Sequence, residues 1–226
     1  MVKKIVIAID GPAASGKSTT ARLVAERLGY LHIDTGAMYR AITWKVLEEK
    51  IPQDAVDRIQ ALAEKTHIRL ERGNKVFLGD QDVSDAIRLP KVTKSVSHIS
   101  SYQVVRDVMV REQRRIANEG GVVLEGRDIG TVVLPNADLK IYMIADVSER
   151  ARRRKKELEH AGVGVDEHAL REEIQERDRR DSTREASPLR KADDAIVLDT
   201  SKLTVEEQVE FIVQRAEELV KGTLKQ

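Results

Sequence analysis

Gly11, Gly16, Lys17 and Ser18 fall in the pattern G-x-x-x-x-G-K-[ST], inside the stretch GPAASGKST at residues 11 to 19. Glycines let a backbone curl so that successive N–H groups converge on an anion, and a helix that follows adds its unpaired N-terminal donors and the positive end of its dipole. Spread over Gly11, Pro12, Ala13, Ala14, Ser15, Gly16, Lys17, Ser18 and Thr19, that chemistry suits the phosphates of a nucleoside triphosphate. Lys17 would reach the β- and γ-phosphates, and the Ser18 hydroxyl would bind the accompanying Mg²⁺. Such a loop reads phosphates and leaves the acceptor open, because GTPases, motor ATPases and small-molecule kinases all use one. A GTPase would be expected to carry N-K-x-D, whereas the one Asn-Lys pair, Asn74–Lys75, continues into Val-Phe.

Three further stretches address the acceptor: DTGAMYR at 34–40, EGRDIGTVVLP at 125–135 and RDRRDSTREASPL at 177–189. Together with the glycine-rich loop they resemble bacterial cytidylate kinases nearly end to end. The resemblance implies transfer of the γ-phosphoryl group of ATP to CMP or dCMP, with Lys17, Arg127 and Arg177 as catalytic residues and Mg²⁺ as cofactor. It also places Arg40 and Arg127 on the acceptor phosphate, Arg177 on the closing face of a lid, and Asp181 on the ribose. Cytosine-reading positions fall on Ser97, Arg106, Asp128 and Arg184. Asp34 and Thr35 begin the acceptor-side stretch, where Asp34 positions the DTG turn or simply caps it. Asp128 is also a candidate for organising the Mg²⁺ waters.

Those residue types suit the task. A monophosphate must approach a polyanionic triphosphate, so fixed cations are required, and an arginine fork binds two phosphate oxygens while staying charged at any working pH. Cytosine offers O2 and N3 as acceptors beside an amino donor, and uracil reverses the last two, so arginine or serine donors beside a carboxylate discriminate between them. The sequence has no cysteine and no histidine inside the matched motifs, which fits direct in-line transfer. A kinase for a metabolite that is not a nucleotide would lack the base-reading set. A P-loop ATPase acting as a binding module would turn over ATP without an acceptor.

Strands and helices must hold these groups. The unbroken apolar run KIVIAI at 4–9 has the character of a strand covered on both faces, and apolar spacing from Lys17 to Leu28 predicts a helix that Gly29 ends. The alternation returns with strands at 122–125, 139–144 and 195–199, and with helices from Ser148 and from Thr204, where Glu207 completes a capping box. The expectation is an α/β, three-layer P-loop kinase fold with a mostly parallel central sheet, formed as a single domain over 1–226. Short alternating pieces at 67–84 predict a small antiparallel insertion, within a monophosphate-binding region of about 60–100. The charged stretch at about 150–190 reads as a short lid, its part at 182–194 as a loop. With 39 basic and 38 acidic residues the net charge is +1, so RARRRKK at 150–156 reads as a solvated face and nucleic acid is not expected as a partner. No apolar stretch approaches the roughly 18 residues of a membrane span. A cytoplasmic protein is expected, and the resemblance adds a monomer.

Overall fold

β-Branched residues dominate the first apolar run, and it becomes the middle strand of a sheet in the computed structural model, which describes residues 4–71, 73–160 and 162–222. The chain forms two compact units: residues up to His32 together with those from Gly120 onward, and Ile33–Glu119. In the first, β1 (Val6–Asp10) leads through the glycine-rich loop into α1 (Lys17–Leu28), which Gly29 ends in the left-handed conformation as expected. Strand β2 (Leu31–Asp34) leaves this unit, and the chain returns through β6 (Val122–Gly126), a π-helical turn at Ile129–Val133, and β7 (Leu139–Ile144). Helices α6 (Val147–His160) and α7 (Glu167–Thr183), strand β8 (Ile196–Asp199) and helix α8 (Val205–Val220) complete it.

The five strands lie in the order β2-β6-β1-β7-β8, and β1 is parallel to both β6 and β7, as β7 is to β8. Ile5, Ile7, Ile9, Val123, Ile141 and Met143 pack with Ala21, Val24 and Ala25 of α1 and with Val209, Ile212 and Val213 of α8 in one buried cluster. Thr204 accepts from the Glu207 amide while the Glu207 side chain bonds back, so the predicted capping box is present. The register places Asp10 opposite Gly126, so β1 and β6 end side by side and their loops, carrying Lys17 and Arg127, start from one edge.

In the second unit, α2 (Thr35–Glu48) and α3 (Val56–Lys65) precede an antiparallel sheet of β3 (Ile68–Glu71), β4 (Lys75–Leu78) and β5 (Gln81–Asp82), the predicted insertion. A 3₁₀ turn at Ala86–Arg88 leads to α4 (Pro90–Ile99), opened by Pro90 in the first turn where its missing N–H is harmless, and then to α5 (Gln103–Ala117). Met38, Ile42, Ile59, Val92, Ile99 and Met109 are among its buried residues. The expected DTG turn is instead the start of a helix, since α2 begins at Thr35 with Asp34 as its cap.

Gly11 is the residue on which the exit from β1 depends. Its φ is +150°, and a Cβ there would lie 2.1 Å from the Met143 carbonyl oxygen of β7. Backbone in a neighbouring strand cannot move aside without breaking the ladder. Gly11→Ala is expected to destabilise the protein by about 2 to 4 kcal/mol, lowering the urea midpoint at unchanged m-value. An unaltered midpoint would show that β7 accommodates the methyl group.

Candidate active site

The phosphate loop is held by its carbonyls. Arg150 Nη1 donates to Ala13 O at 3.1 Å, and Thr200 Oγ1 donates to Ser15 O at 3.0 Å, with Arg153 Nη1 at 3.5 Å from the same oxygen. In a trans peptide the C=O and the following N–H point in opposite directions, so these tethers aim the amides of Ala14 and Gly16 away from α6 and β8. Gly16, at φ +95°, supplies the left-handed entry to α1, and Ala14 sits at φ +57° with its methyl against the small cluster of Ala151, Leu170 and Ile174. A non-glycine residue at positive φ is strained, and here packing against α6 and α7 holds it.

Arg150 is buried and bridges further, to Ala145 O at 3.1 Å and to Asp178 of α7 at 2.6 Å. Arg153 also binds Thr200 O at 2.5 Å and Glu149 at 2.8 Å. The expectation of a solvated basic face is therefore corrected for Arg150 and Arg153, which turn inward to brace the loop. Arg152, Arg154 and Lys155 are ion-paired to Glu149, Glu157 and Glu167. Sequence alone could not separate them, because the run lacks the apolar spacing that would mark an inner face.

Lys17 is buried, with Nζ donating to Pro12 O at 2.6 Å and to Ser15 Oγ at 3.2 Å. Burial, reinforced by the positive charges of Arg127 and Arg177, pushes its ammonium down to about 7, although Glu125 and Asp10 pull the other way. Ser18 Oγ donates to Glu125 Oε2 at 2.8 Å, and His32 Nε2 lies 3.2 Å from Glu125 Oε1. Glu125 and His32 were missed as site residues in the sequence. The available signal was the position of Glu125 at the carboxyl end of a parallel strand, where open α/β sheets bind ligands.

Arg127 Nε donates to Asp181 Oδ2 at 2.8 Å. Burial alone would lower the Arg127 pKa, but Asp181 raises it; burial likewise favours neutral Asp181, and Arg127, Arg177 and Arg184 outweigh that and hold it low. Arg184 bonds Ser187 O at 2.7 Å, and its guanidinium is 3.9 Å from Asp128. The structure thus brings together the predicted residues 11–19, Arg127, Asp128, Arg177, Asp181 and Arg184 within the first unit.

The remaining predicted residues belong to the second unit. Asp34 accepts from the Ala37 amide at 3.0 Å, a helix cap, and Thr35 is buried beside it. Arg40 Nη1 donates to Thr93 Oγ1 at 2.9 Å. Arg106 is 1% exposed, stands over the Tyr39 ring at 5.3 Å and donates to Ser100 O at 3.2 Å, while Ser97 is half-buried on α4.

Comparison with known proteins finds that the profile of the family described as Cytidylate kinase matches residues 7–218. Cytidylate kinases from Bacillus thuringiensis (strain Al Hakam), Bacillus cereus (strain AH187) and Bacillus anthracis (strain CDC 684 / NRRL 3495) are each 50% identical over 216 residues, covering 94% of this chain and 96% of the relative. Among solved structures, an uncharacterized protein from Eubacterium ventriosum superposes with a TM-score of 0.53 at 17% identity, over 95% of this chain and 99% of that one, which is a likeness of fold.

Lys17 generates a prediction in the protein without nucleotide. Lys17→Met removes a buried charge and should stabilise the protein by about 1 to 3 kcal/mol near neutral pH. Between its folded value of about 7 and the ordinary 10.5, the unfolded chain keeps a proton that the folded chain has released. Wild-type stability therefore rises with pH across that window relative to the variant. Urea melts at about pH 6.5 and about pH 9 should show the variant's advantage shrinking; parallel curves would mean that Lys17 is not buried as a cation.

Proposed function

The chain belongs to the cytidylate kinase family, and from that premise we propose which of its residues carry the phosphorylation of CMP or dCMP by ATP. The reaction passes the γ-phosphoryl group of ATP to the acceptor's 5′-phosphate, giving ADP with CDP or dCDP, a step of pyrimidine nucleotide metabolism. The assignment rests above all on buried Lys17, whose Nζ is held in the glycine-rich loop by Pro12 O at 2.6 Å, with the positive charges of Arg127 and Arg177 close enough to act on it. Positive groups crowded to that degree are stabilised by bound anions, and two phosphorylated substrates supply them.

Residues Gly11 to Thr19 take the phosphates of ATP, with Lys17 at the β- and γ-groups. Arg127 and Arg177 stabilise the phosphoryl group in flight. Arg40 and Arg127 hold the acceptor phosphate, Ser97, Arg106, Asp128 and Arg184 read cytosine, Asp181 takes the ribose, and Asp34 and Thr35 fix the start of the acceptor-side helix. An acceptor phosphate oxygen attacks the γ-phosphorus as the bond to ADP breaks, so alignment and charge suffice without a covalent enzyme intermediate. Under this assignment 1–226 works as a single kinase domain. Residues of about 60–100 form its monophosphate-binding region, and about 150–190 form a lid that excludes water.

Mg²⁺ fits the residues present. Ser18 Oγ and the Glu125 carboxylate, 2.8 Å apart, are hard oxygen donors of the kind Mg²⁺ accepts alongside substrate phosphates. Among the described residues no group of three or more His, Cys, Asp or Glu side chains could hold a metal without the substrate. Bound there, the ion would neutralise phosphate charge, with Ser18 as ligand and Glu125 ordering its waters; Glu125 replaces Asp128 in that role because it is the carboxylate bonded to Ser18. The ion pairs along α6 favour a protein that does not bind nucleic acid. No described helix is long and apolar enough to cross a membrane. A monomer in the cytoplasm is the reading that the family resemblance and a cysteine-free sequence support.

Coupled ADP release with AMP, UMP, CMP, dCMP and dTMP at equal concentration should favour CMP and dCMP. Arg184→Met should lower kcat/KM for CMP by roughly 2 to 4 kcal/mol, or about 30- to 1000-fold, and leave KM for ATP nearly unchanged. Equal loss for both substrates would remove Arg184 from the base-reading set. Glu125→Gln should weaken metal binding in the presence of ATP by about 10- to 100-fold, followed by electron paramagnetic resonance with Mn²⁺ as the probe. Unchanged Mn²⁺ affinity would exclude Glu125 from ordering the metal's waters.

A further inference from the structure

Asp10, the last residue of β1, directly precedes Gly11 and is 5% exposed. Its two carboxylate oxygens divide between consecutive amides across the sheet: Ile129 N–H donates to Oδ1 at 2.8 Å and Gly130 N–H to Oδ2 at 2.7 Å. Opposite the Asp10 backbone in the parallel register stands Gly126. Arg127 and Asp128 are the residues between these two attachments. The turn they form therefore leaves the sheet beside the Asp10 main chain and returns to the Asp10 side chain.

Space confirms how tightly the turn is drawn in. A Cβ on Gly130 would lie at ordinary contact distance, 3.4 Å, from Asp10 Oδ2 and a tighter 3.2 Å from Lys140 Cδ, so the turn packs closely on both side chains. Beyond the attachment, Val132 and Val133 both donate to Asp128 O, at 2.9 and 3.1 Å, so the π-helical turn is wound onto Asp128 itself. A buried carboxylate is an expensive way to satisfy two amides, since burial raises its free energy and Asp128 nearby raises it further. Lys17 lies close enough to lower it. The same carboxylate thus stands at the end of the strand that opens the phosphate loop and holds the turn that carries two residues assigned to the acceptor.

We propose that Asp10 is a positioning residue for the acceptor nucleotide, which fixes the Arg127–Asp128 turn against the strand that opens the phosphate loop. This rests on the assignment of Arg127 and Asp128 to the acceptor. Removing the carboxylate frees both amides and lets the turn shift, whereas the glycine-rich loop keeps its own tethers through Arg150, Arg153 and Thr200. The loss should accordingly fall on CMP and spare ATP. Misplacement of a reacting group by about 1 Å can cost 10²-fold in rate.

Asp10→Ala and Asp10→Asn test this in the full chain, with urea melts to establish that each folds. Asparagine keeps the shape and one acceptor oxygen but turns an NH₂ toward the second amide, so it carries the test if the alanine variant does not fold. For either variant, kcat/KM for CMP should drop about 100-fold, with a higher KM for CMP and KM for ATP within about threefold, and the preference for CMP over UMP should fall. Unchanged CMP kinetics, or equal losses for CMP and ATP, would overturn the proposal, because a merely structural role would move both substrates together. Asp128→Ala is run in parallel: if it leaves the CMP to UMP preference intact, the assignment of Asp128 to the base has failed, and the Asp10 kinetics still decide the positioning role.

Discussion

Burying an ammonium group without a matching anion costs free energy, and the first unit is arranged around that cost. Lys17 is enclosed, and Arg127 and Arg177 worsen its position while Glu125 and Asp10 relieve it in part. The carbonyls of Ala13 and Ser15 are tied down from the other side by Arg150, Arg153 and Thr200. Charge is thereby preassembled and cannot relax by rearranging the loop. Preorganisation of this type favours the substrate that brings negative charge and requires little reorganisation when the reaction occurs.

Sheet topology follows from the same requirement. Parallel strands end together, so β1 and β6 deliver the phosphate loop and the Arg127–Asp128 turn to one edge of the sheet. The apolar faces of α1 and α8 secure those strands through a shared cluster, and Gly11 lets the chain leave β1 hard against β7. Rigid elements hold the phosphate-side groups.

Much of this was legible in the sequence for identifiable reasons. Continuous β-branched runs marked the parallel strands, the Thr204–Glu207 pair marked the start of α8, and the alternating pieces at 67–84 marked the antiparallel sheet, because each signal is local. The glycine-rich loop was legible since its pattern is a backbone requirement. What escaped was non-local. Nothing in RARRRKK distinguishes Arg150, wedged between Ala13 O and Asp178, from Arg152, paired on the surface with Glu149. Nor could the start of α2 at Thr35 be told from a turn, since Asp34 caps either equally well.

Arg150 and Arg153 also bear on how the phosphate loop is held. An arginine that donates to protein groups has fewer N–H groups left for phosphate, and each of these side chains makes one bond to a loop carbonyl and further bonds to Ala145 and Asp178 or to Thr200. They act on the phosphate loop through its backbone, by setting which way the loop amides face. Asp178 extends the linkage, because it joins Arg150 to α7, the helix that bears Arg177 and Asp181. A displacement of α7 would therefore load the Arg150 guanidinium and, through it, the Ala13 carbonyl. The position of α7 and the geometry of the phosphate loop are in this way joined by the Arg150–Asp178 ion pair, alongside the packing of Ala14 against Leu170 and Ile174, and the cost of breaking a buried pair favours the two moving as a unit.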